Sequence, residues 1–336
     1  MARWSISRLA FHLSAGLLIW AAAAALCLCL GSTGIYWPHG EDRILRSDAV
    51  FTASLVGAAL GAAGAAYQAL LRNPLADPYL LGASSGAALA AYIWRLPMIT
   101  ALLAFAGETA AAAGQEAFAF LGALAAVAVV LVITSGRSGR GRINPVTLLL
   151  VGVIVNAVNG SIYLLLNAVH KDIPGGGGEV ALLVGGIGSV TRLQWYCAGG
   201  FALLGWVILM ILSGPLTVAT LGDDQAQALG VRIHRLRWIA LSAASLMTAA
   251  AVALSGPIAF VGLICPHVAR RIVGADQRRL LPASTACGAI LLALADGVSR
   301  ALARQDLIGT QLQVGILTGL LGGPFFLMLL FDADRT

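Results

Sequence analysis

A chain of 336 residues that is 59% hydrophobic and only 11% charged lies far from the roughly 25% charge of ordinary soluble domains, and it reads as an integral membrane protein. Its net charge of +6 comes from arginines in short loops between apolar runs, which suits orientation in a membrane and argues against nucleic acid as a partner. The only lysine, Lys171, is followed by Asp172, so there is no GK[ST] triplet to cradle a nucleotide phosphate, and the chain is not itself a P-loop ATPase.

Forty glycines suit helices that approach closely through small residues, as helices do in lipid. The five cysteines, Cys27, Cys29, Cys197, Cys265 and Cys287, sit in apolar stretches without CxxC spacing and read as small buried hydrophobes. A span needs about 20 apolar residues, and the chain offers ten candidate cores, near 10–31, 48–71, 79–95, 116–135, 146–169, 193–213, 237–256, 258–272, 280–301 and 312–331. The expected fold is an all-α integral membrane protein of about ten transmembrane helices in a single domain over 1–336. Its two five-helix halves cover about 10–169 and 193–331.

The first apolar run, Leu9 to Leu30, exceeds a signal-peptide core and lacks an A-x-A site, so it reads as an uncleaved first helix. With the N-terminus inside, only Arg43, Arg46, Arg95, Lys171, Arg192, Arg300 and Arg304 of the 21 basic residues fall outside. That bias supports cytoplasmic N- and C-termini. Five spans per half require that, if the halves are repeats, the second is inverted.

RNPLADPYLLGASSGAALAA, residues 72–91, has two prolines that bias Asn73 and Asp77 away from helix. After Pro74, Pro78 suits the first turn of a new helix capped by Asp77. The segment reads either as a tight cytoplasmic turn or, in addition, as a contact point for a cytoplasmic partner. In the fifth span Gly152, Asn156, Asn159, Gly160, Tyr163 and Asn167 recur at steps of three and four and share a helix face. Amides are costly in lipid, so this face looks at another helix or at a watery pathway. Gly315, Thr318, Gly319 and Gly322 repeat the idea in the last span, where small residues also suit plain packing.

The run LGDDQAQALGVRIHRLR (221–237) is the most polar stretch of the chain. Gly222 breaks the chain, Asp223 can cap, Asp224 favours a helix start, and Gly230 can end about two turns running through Gln225, Ala226 and Leu229. A short cytoplasmic helix is expected there, followed by a basic collar of Arg232, His234, Arg235 and Arg237; the plain alternative is a solvated loop. Asp296 is an acid within a span, and Arg300 stands at the i+4 spacing that would allow a pair. One such acid is a thin relay for a proton-driven carrier. His267 and the other histidines show no metal-ligand spacing.

VGAALGAAGAAYQALLRNPLADPYLLGASSGAALA (56–90), the 221–237 run, SGPIAFVGLICPHVARRIVGADQRRLLPAS (255–284) and VGILTGLLGGPFF (314–326) closely resemble permease subunits of FecCD-type ABC importers. That family takes up iron-siderophores, haem and vitamin B12. The resemblance covers nearly the whole chain in order, and it implies a dimer of ten-helix permeases in a bacterial inner membrane. It also implies two cytoplasmic ATPase subunits that carry the ATP and Mg, and a periplasmic or lipid-anchored substrate-binding protein. No cofactor is expected on this chain. The segment of about 214–236 would be the ATPase-coupling element, with Leu221, Gly222, Asp223, Asp224, Gln225, Ala226, Leu229, Gly230, Arg232 and Arg235 at its centre. The fifth and tenth spans would line the path, and a cytoplasmic gate would fall near Asn144, Pro145 and Val146.

The chain departs from the family outside the membrane. The family often has Arg-Leu-Pro-Arg where this chain has Arg46, Ser47, Asp48 and Ala49, and Glu-Leu-Pro-Val-Gly where it has Gln311, Leu312, Gln313, Val314 and Gly315. Arg46, with Arg300 or Arg304, is a candidate for docking carboxylates of the binding protein, as exposed arginines suit bidentate pairing. The alternative function is an ion-coupled secondary transporter that acts without an ATPase.

Overall fold

The computed structural model describes residues 6–31, 34–96, 99, 108–136, 145–169, 184–188, 190–303 and 312–333. Among these residues are twelve α-helices, a 3-10 turn and a small β-hairpin. Helix α1 (Ile6–Cys29) runs into the hairpin, where β1 (Leu30–Gly31) pairs antiparallel with β2 (Gly34–Ile35). Then come α2 (Gly40–Leu71), the 3-10 turn Pro78–Leu81, α3 (Ala83–Trp94), α4 (Glu108–Gly136) and α5 (Pro145–Val169). The second half holds α6 (Arg192–Ile211), α7 (Ser213–Ala219), α8 (Asp223–Ala228), α9 (Ile233–Ser255), α10 (Val261–Val273), α11 (Gln277–Leu302) and α12 (Val314–Ala333).

Each of the ten expected segments meets a helix, while α7 and α8 occupy the polar interval between the sixth and seventh. Among the described residues six helices, α2, α4, α5, α6, α9 and α11, are long and apolar enough to cross a membrane, and α1 and α12 carry shorter apolar stretches. α3 and α10 have 12 and 13 residues, a rise of about 18–20 Å, which is less than the ~30 Å hydrocarbon core. They are too short to cross alone.

Several helix starts come before the expectation, and one of them is that of α4, at Glu108 and not near 116. α2 starts at Gly40, well before residue 48, because Glu41 and Asp42 in its first turn favour the positive helix start and let polar residues continue the helix. The basic collar is likewise helical from His234 to Arg237, since α9 begins at Ile233 with Arg232 as its N-cap. The hairpin and α7 carry no apolar period and had no sequence signal. α6 opens on a capping box, Thr191 with Gln194.

The small residues mark where helices cross. A Cβ placed on Gly57 would collide with the carbonyl of Gly288, and one on Gly64 with the carbonyl of Gly262. α2 therefore meets α11 and α10 backbone to backbone, as the glycine content implied. α2 packs on α11, α9, α10 and α1, and α9 packs on α2, α6, α4 and α3, so the core lies around this central pair. There Tyr67 of α2 is fully buried, and its hydroxyl pairs with Ser245 Oγ of α9 at 2.8 Å, which satisfies both groups away from water.

Candidate coupling element and polar pathway face

The 221–237 run does fold as a short helix between two glycines. Gly222 (φ 124) and Gly230 (φ 83) take conformations that side chains rarely adopt. Gly222 itself is the N-cap of α8. The expected cap, Asp223, instead turns its carboxylate back to the body of the protein. Arg237 of α9 grips it in a bidentate pair, Nη1 to Oδ2 at 3.0 Å and Nη2 to Oδ1 at 2.8 Å. Arg72, just past the end of α2, reaches Oδ1 at 3.2 Å. A charge-assisted fork outcompetes a single cap bond, and it braces α8 from behind.

Ala226 is the buried face of α8, and Leu221, Asp224, Gln225, Leu229, Gly230, Arg232 and Arg235 are exposed. Leu221 and Leu229, which flank α8, are thus exposed amid charge on a segment held from behind.

The RNPLADP segment is a turn, and a tightly bonded one. Asn73 Oδ1 accepts from the N–H of Leu75 at 2.9 Å, and the N–H of Ala76 donates to the Asn73 carbonyl at 3.1 Å. Pro74 is exposed, while Pro78 is buried against Gly262. Asp77 caps as expected, accepting from Tyr79 N–H at 2.8 Å. Its other oxygen accepts from Phe260 N–H at 3.1 Å, so one carboxylate serves the starts of both the 3-10 turn and α10.

The polar face of the fifth span looks at the 3-10 turn and α3. Asn156 Nδ2 donates to the Tyr79 carbonyl at 3.1 Å and Asn159 Nδ2 to Ser85 Oγ at 3.2 Å. Tyr163 is buried edge-on to Tyr92 with ring centroids 5.0 Å apart, and the Tyr92 hydroxyl donates to Asn167 Oδ1 at 3.5 Å. Gly152 is buried on the same helix. Interhelical bonding and a polar space coexist: a cavity of about 150 Å³ is lined by Tyr79, Ser84, Ser85, Asn156, Asn159 and Tyr163 among others.

In α12 the positions diverge. Gly315 lies against the backbone at Val184 and its N–H donates to Gly185 O at 3.1 Å. Thr318 is buried and donates to the Gly315 carbonyl at 3.2 Å. Gly319 has nothing within 4 Å of a built Cβ, and Gly322 lies under the Phe260 ring. At the expected gate, Pro145 opens α5 and Val146 is exposed; Asn144 lies outside the described residues.

The docking arginines need correcting. Arg46 is only 6% exposed, stacks over the Tyr36 ring at 4.5 Å, and donates to the carbonyls of Leu28 and Cys29 at 3.2 Å. Arg300 is also mostly buried, paired with Asp296 at 2.9 Å and donating to the Cys27 carbonyl at 3.4 Å. Both cap the unsatisfied, partly negative C-terminus of α1 and are not exposed forks. Arg304 lies outside the described residues. Sequence reasoning missed Gln68, whose signal was a lone amide in an apolar run: its Nε2 donates to the Gly262 carbonyl at 3.3 Å. It also missed Phe260, whose φ of 69 carries no sequence mark.

A helical bundle joined through glycine crossings, with a polar face on one helix and a braced knob outside it, defines a multi-pass membrane transport subunit. The FecCD transport family model matches residues 42–332, and the chain belongs to that family. It is 38% identical over 294 residues to the uncharacterized ABC transporter permease protein YvrB of Bacillus subtilis, covering 87% of this chain and 78% of the relative. The hemin transport system permease protein HmuU of Yersinia pestis is 35% identical over 294 residues, with 85% of this chain and 81% of the relative covered. A solved chain described as an inward-facing conformation of a metal-chelate type ABC transporter matches with a TM-score of 0.80 at 27% identity, over 96% of this chain and 99% of that one.

Proposed function

We propose that this chain is the permease subunit of a bacterial inner-membrane ABC importer that carries a bulky metal chelate, an iron-siderophore or haem before a cobalamin, into the cytoplasm. Two copies form the pathway, two separate ATP-binding subunits supply the energy, and a periplasmic or lipid-anchored binding protein delivers the cargo. ATP-driven closure of the ATPases rocks the permeases between outward-open and inward-open states. The observation that carries this reading is the braced helix α8, held by Arg72 and Arg237 with Leu221, Asp224, Gln225, Leu229, Arg232 and Arg235 facing outward. A chain without a nucleotide-binding motif has use for such a knob only if an engine docks on it.

The Asn156, Asn159, Tyr163 and Asn167 face of α5, with Gly319 of α12, lines the path in this reading. The inverted relation of the halves is supported by matched neighbours: α2 packs on α10 and α11 as α9 packs on α3 and α4. Pairing of Asp296 with Arg300 favours this function over an ion-coupled carrier, whose relay needs an acid free to exchange its proton. The test is co-purification with an ATP-binding subunit, followed by uptake of a ferric siderophore or haem into proteoliposomes. Uptake that requires ATP and the ATPase supports the proposal. Uptake by the chain alone, abolished by Asp296→Asn, contradicts it.

A further inference from the structure

Arg72 closes α2 in the left-handed region (φ 49, ψ 36), with its N–H on the carbonyl of Gln68, a conformation that a non-glycine residue keeps only where its surroundings impose it. Its guanidinium is 38% exposed and makes one cross-element contact to Asp223, whereas the Arg237 side chain on the same carboxylate is 7% exposed. The bidentate Arg237 pair fastens α8 to the start of α9. The Arg72 pair ties that unit to a different helix.

Beyond Arg72 the contacts continue inward. Gln68 donates to the carbonyls of Gly262 and Leu263 at 3.3 and 3.4 Å and accepts from Arg270 Nη2 at 3.3 Å. At the head of that same turn of α10, Phe260 N–H donates to Asp77, which also takes Tyr79 N–H, and the Tyr79 carbonyl takes the amide of Asn156. The Phe260 ring covers Gly322 of α12. Two features that look separate in the sequence, the α8 knob and the α5 polar face, are thus joined through the end of α2.

We propose that Arg72 is a positioning residue for transport, the link through which a displacement of α8 reaches the α2–α10 contact and, through Asp77, the Asn156 face of α5. It rests on the coupling role given to α8 above. Contiguity alone is not coupling; coupling is a free energy between sites, commonly worth roughly 5–150-fold.

The experiment measures chelate taken up per ATP hydrolysed by the reconstituted complex of permease, ATPase and binding protein. Arg72→Ala is expected to lower that ratio roughly fivefold or more with the ATPase subunit still bound, and Arg72→Lys, which keeps the charge, is expected to recover most of it. An unchanged ratio, or loss of the ATPase subunit from Arg72→Ala, overturns the proposal. Should Arg72→Ala not yield folded protein, Arg72→Gln keeps the side-chain length without the charge, and a normal ratio there overturns it equally. If the parent complex moves chelate without ATP, the reading of α8 fails first. If the parent is coupled and the Arg72 variants are coupled as well, only this inference fails.

Discussion

Helices α2 and α5 are both long and apolar, yet the bundle uses them in opposite ways. α2 is buried at almost every position from Val50 to Leu71. α5 leaves Val146, Leu150, Val153, Ile154, Val158 and Leu165 exposed and turns inward a single side, which carries the buried Leu148 and Val151 and the polar residues Asn156 and Asn159. Hydrophobicity does not separate them; the surroundings of their glycines do. Gly57, Gly61 and Gly64 of α2 each press on a neighbouring backbone, while Gly160 of α5 has nothing within 4 Å. α2 is a strut locked by backbone contact, and α5 is a wall fastened on one side only, which suits the pathway role proposed for it.

The sharpest way to break this contrast is a matched pair of substitutions. Gly57→Leu must push α2 off the Gly288 carbonyl, and is expected to cost about 4 kcal/mol or more, the range of severe overpacking. Little folded protein should survive purification. Gly160→Leu should stay within about 0.5 kcal/mol in thermal unfolding in detergent. Equal damage from both would erase the distinction between strut and wall.

A smaller effect is expected where α8 leans on the bundle. Arg237→Ala removes the fork on Asp223, and because that carboxylate is one-third exposed the cost is screened to about 1 kcal/mol. Hydrogen exchange should show α8 opening while α2 keeps its protection. Uniform loss of protection would mean that α8 is part of the core.

The least costly change is Asn156→Ala in α5, which gives up one half-exposed hydrogen bond to Tyr79 and about 1 kcal/mol or less. Its signature is functional: chelate uptake falls while the melting temperature hardly moves. A variant with full uptake would leave the polar face with packing as its only role.

Much of this was legible in the sequence because lipid imposes simple rules. Apolar runs mark a helix at each of the ten expected segments, Gly222 and Gly230 mark the ends of α8, the pair Asp77-Pro78 marks a capped start, and the three- and four-residue steps put Asn156, Asn159 and Tyr163 on one face. What stayed hidden depends on distant partners. Asp223 has a sequence neighbourhood that suits an N-cap, and only the fold brings Arg72 and Arg237 to it. Arg46 and Arg300 read as exposed because charge in a sequence carries no depth, whereas both are drawn in to cap α1. The early start of α2 is hidden for a related reason: a helix that outruns the lipid goes on through polar residues that a hydropathy window rejects.

The central claim, that this chain is a permease driven through α8, is tested most directly by reversing the charge of both acids there. In a complex carrying Asp223→Arg together with Asp224→Arg, ATP hydrolysis should continue and the membrane bundle should stay folded while ATP-dependent chelate uptake into proteoliposomes is lost. Uptake at the parent rate in that variant would contradict the account.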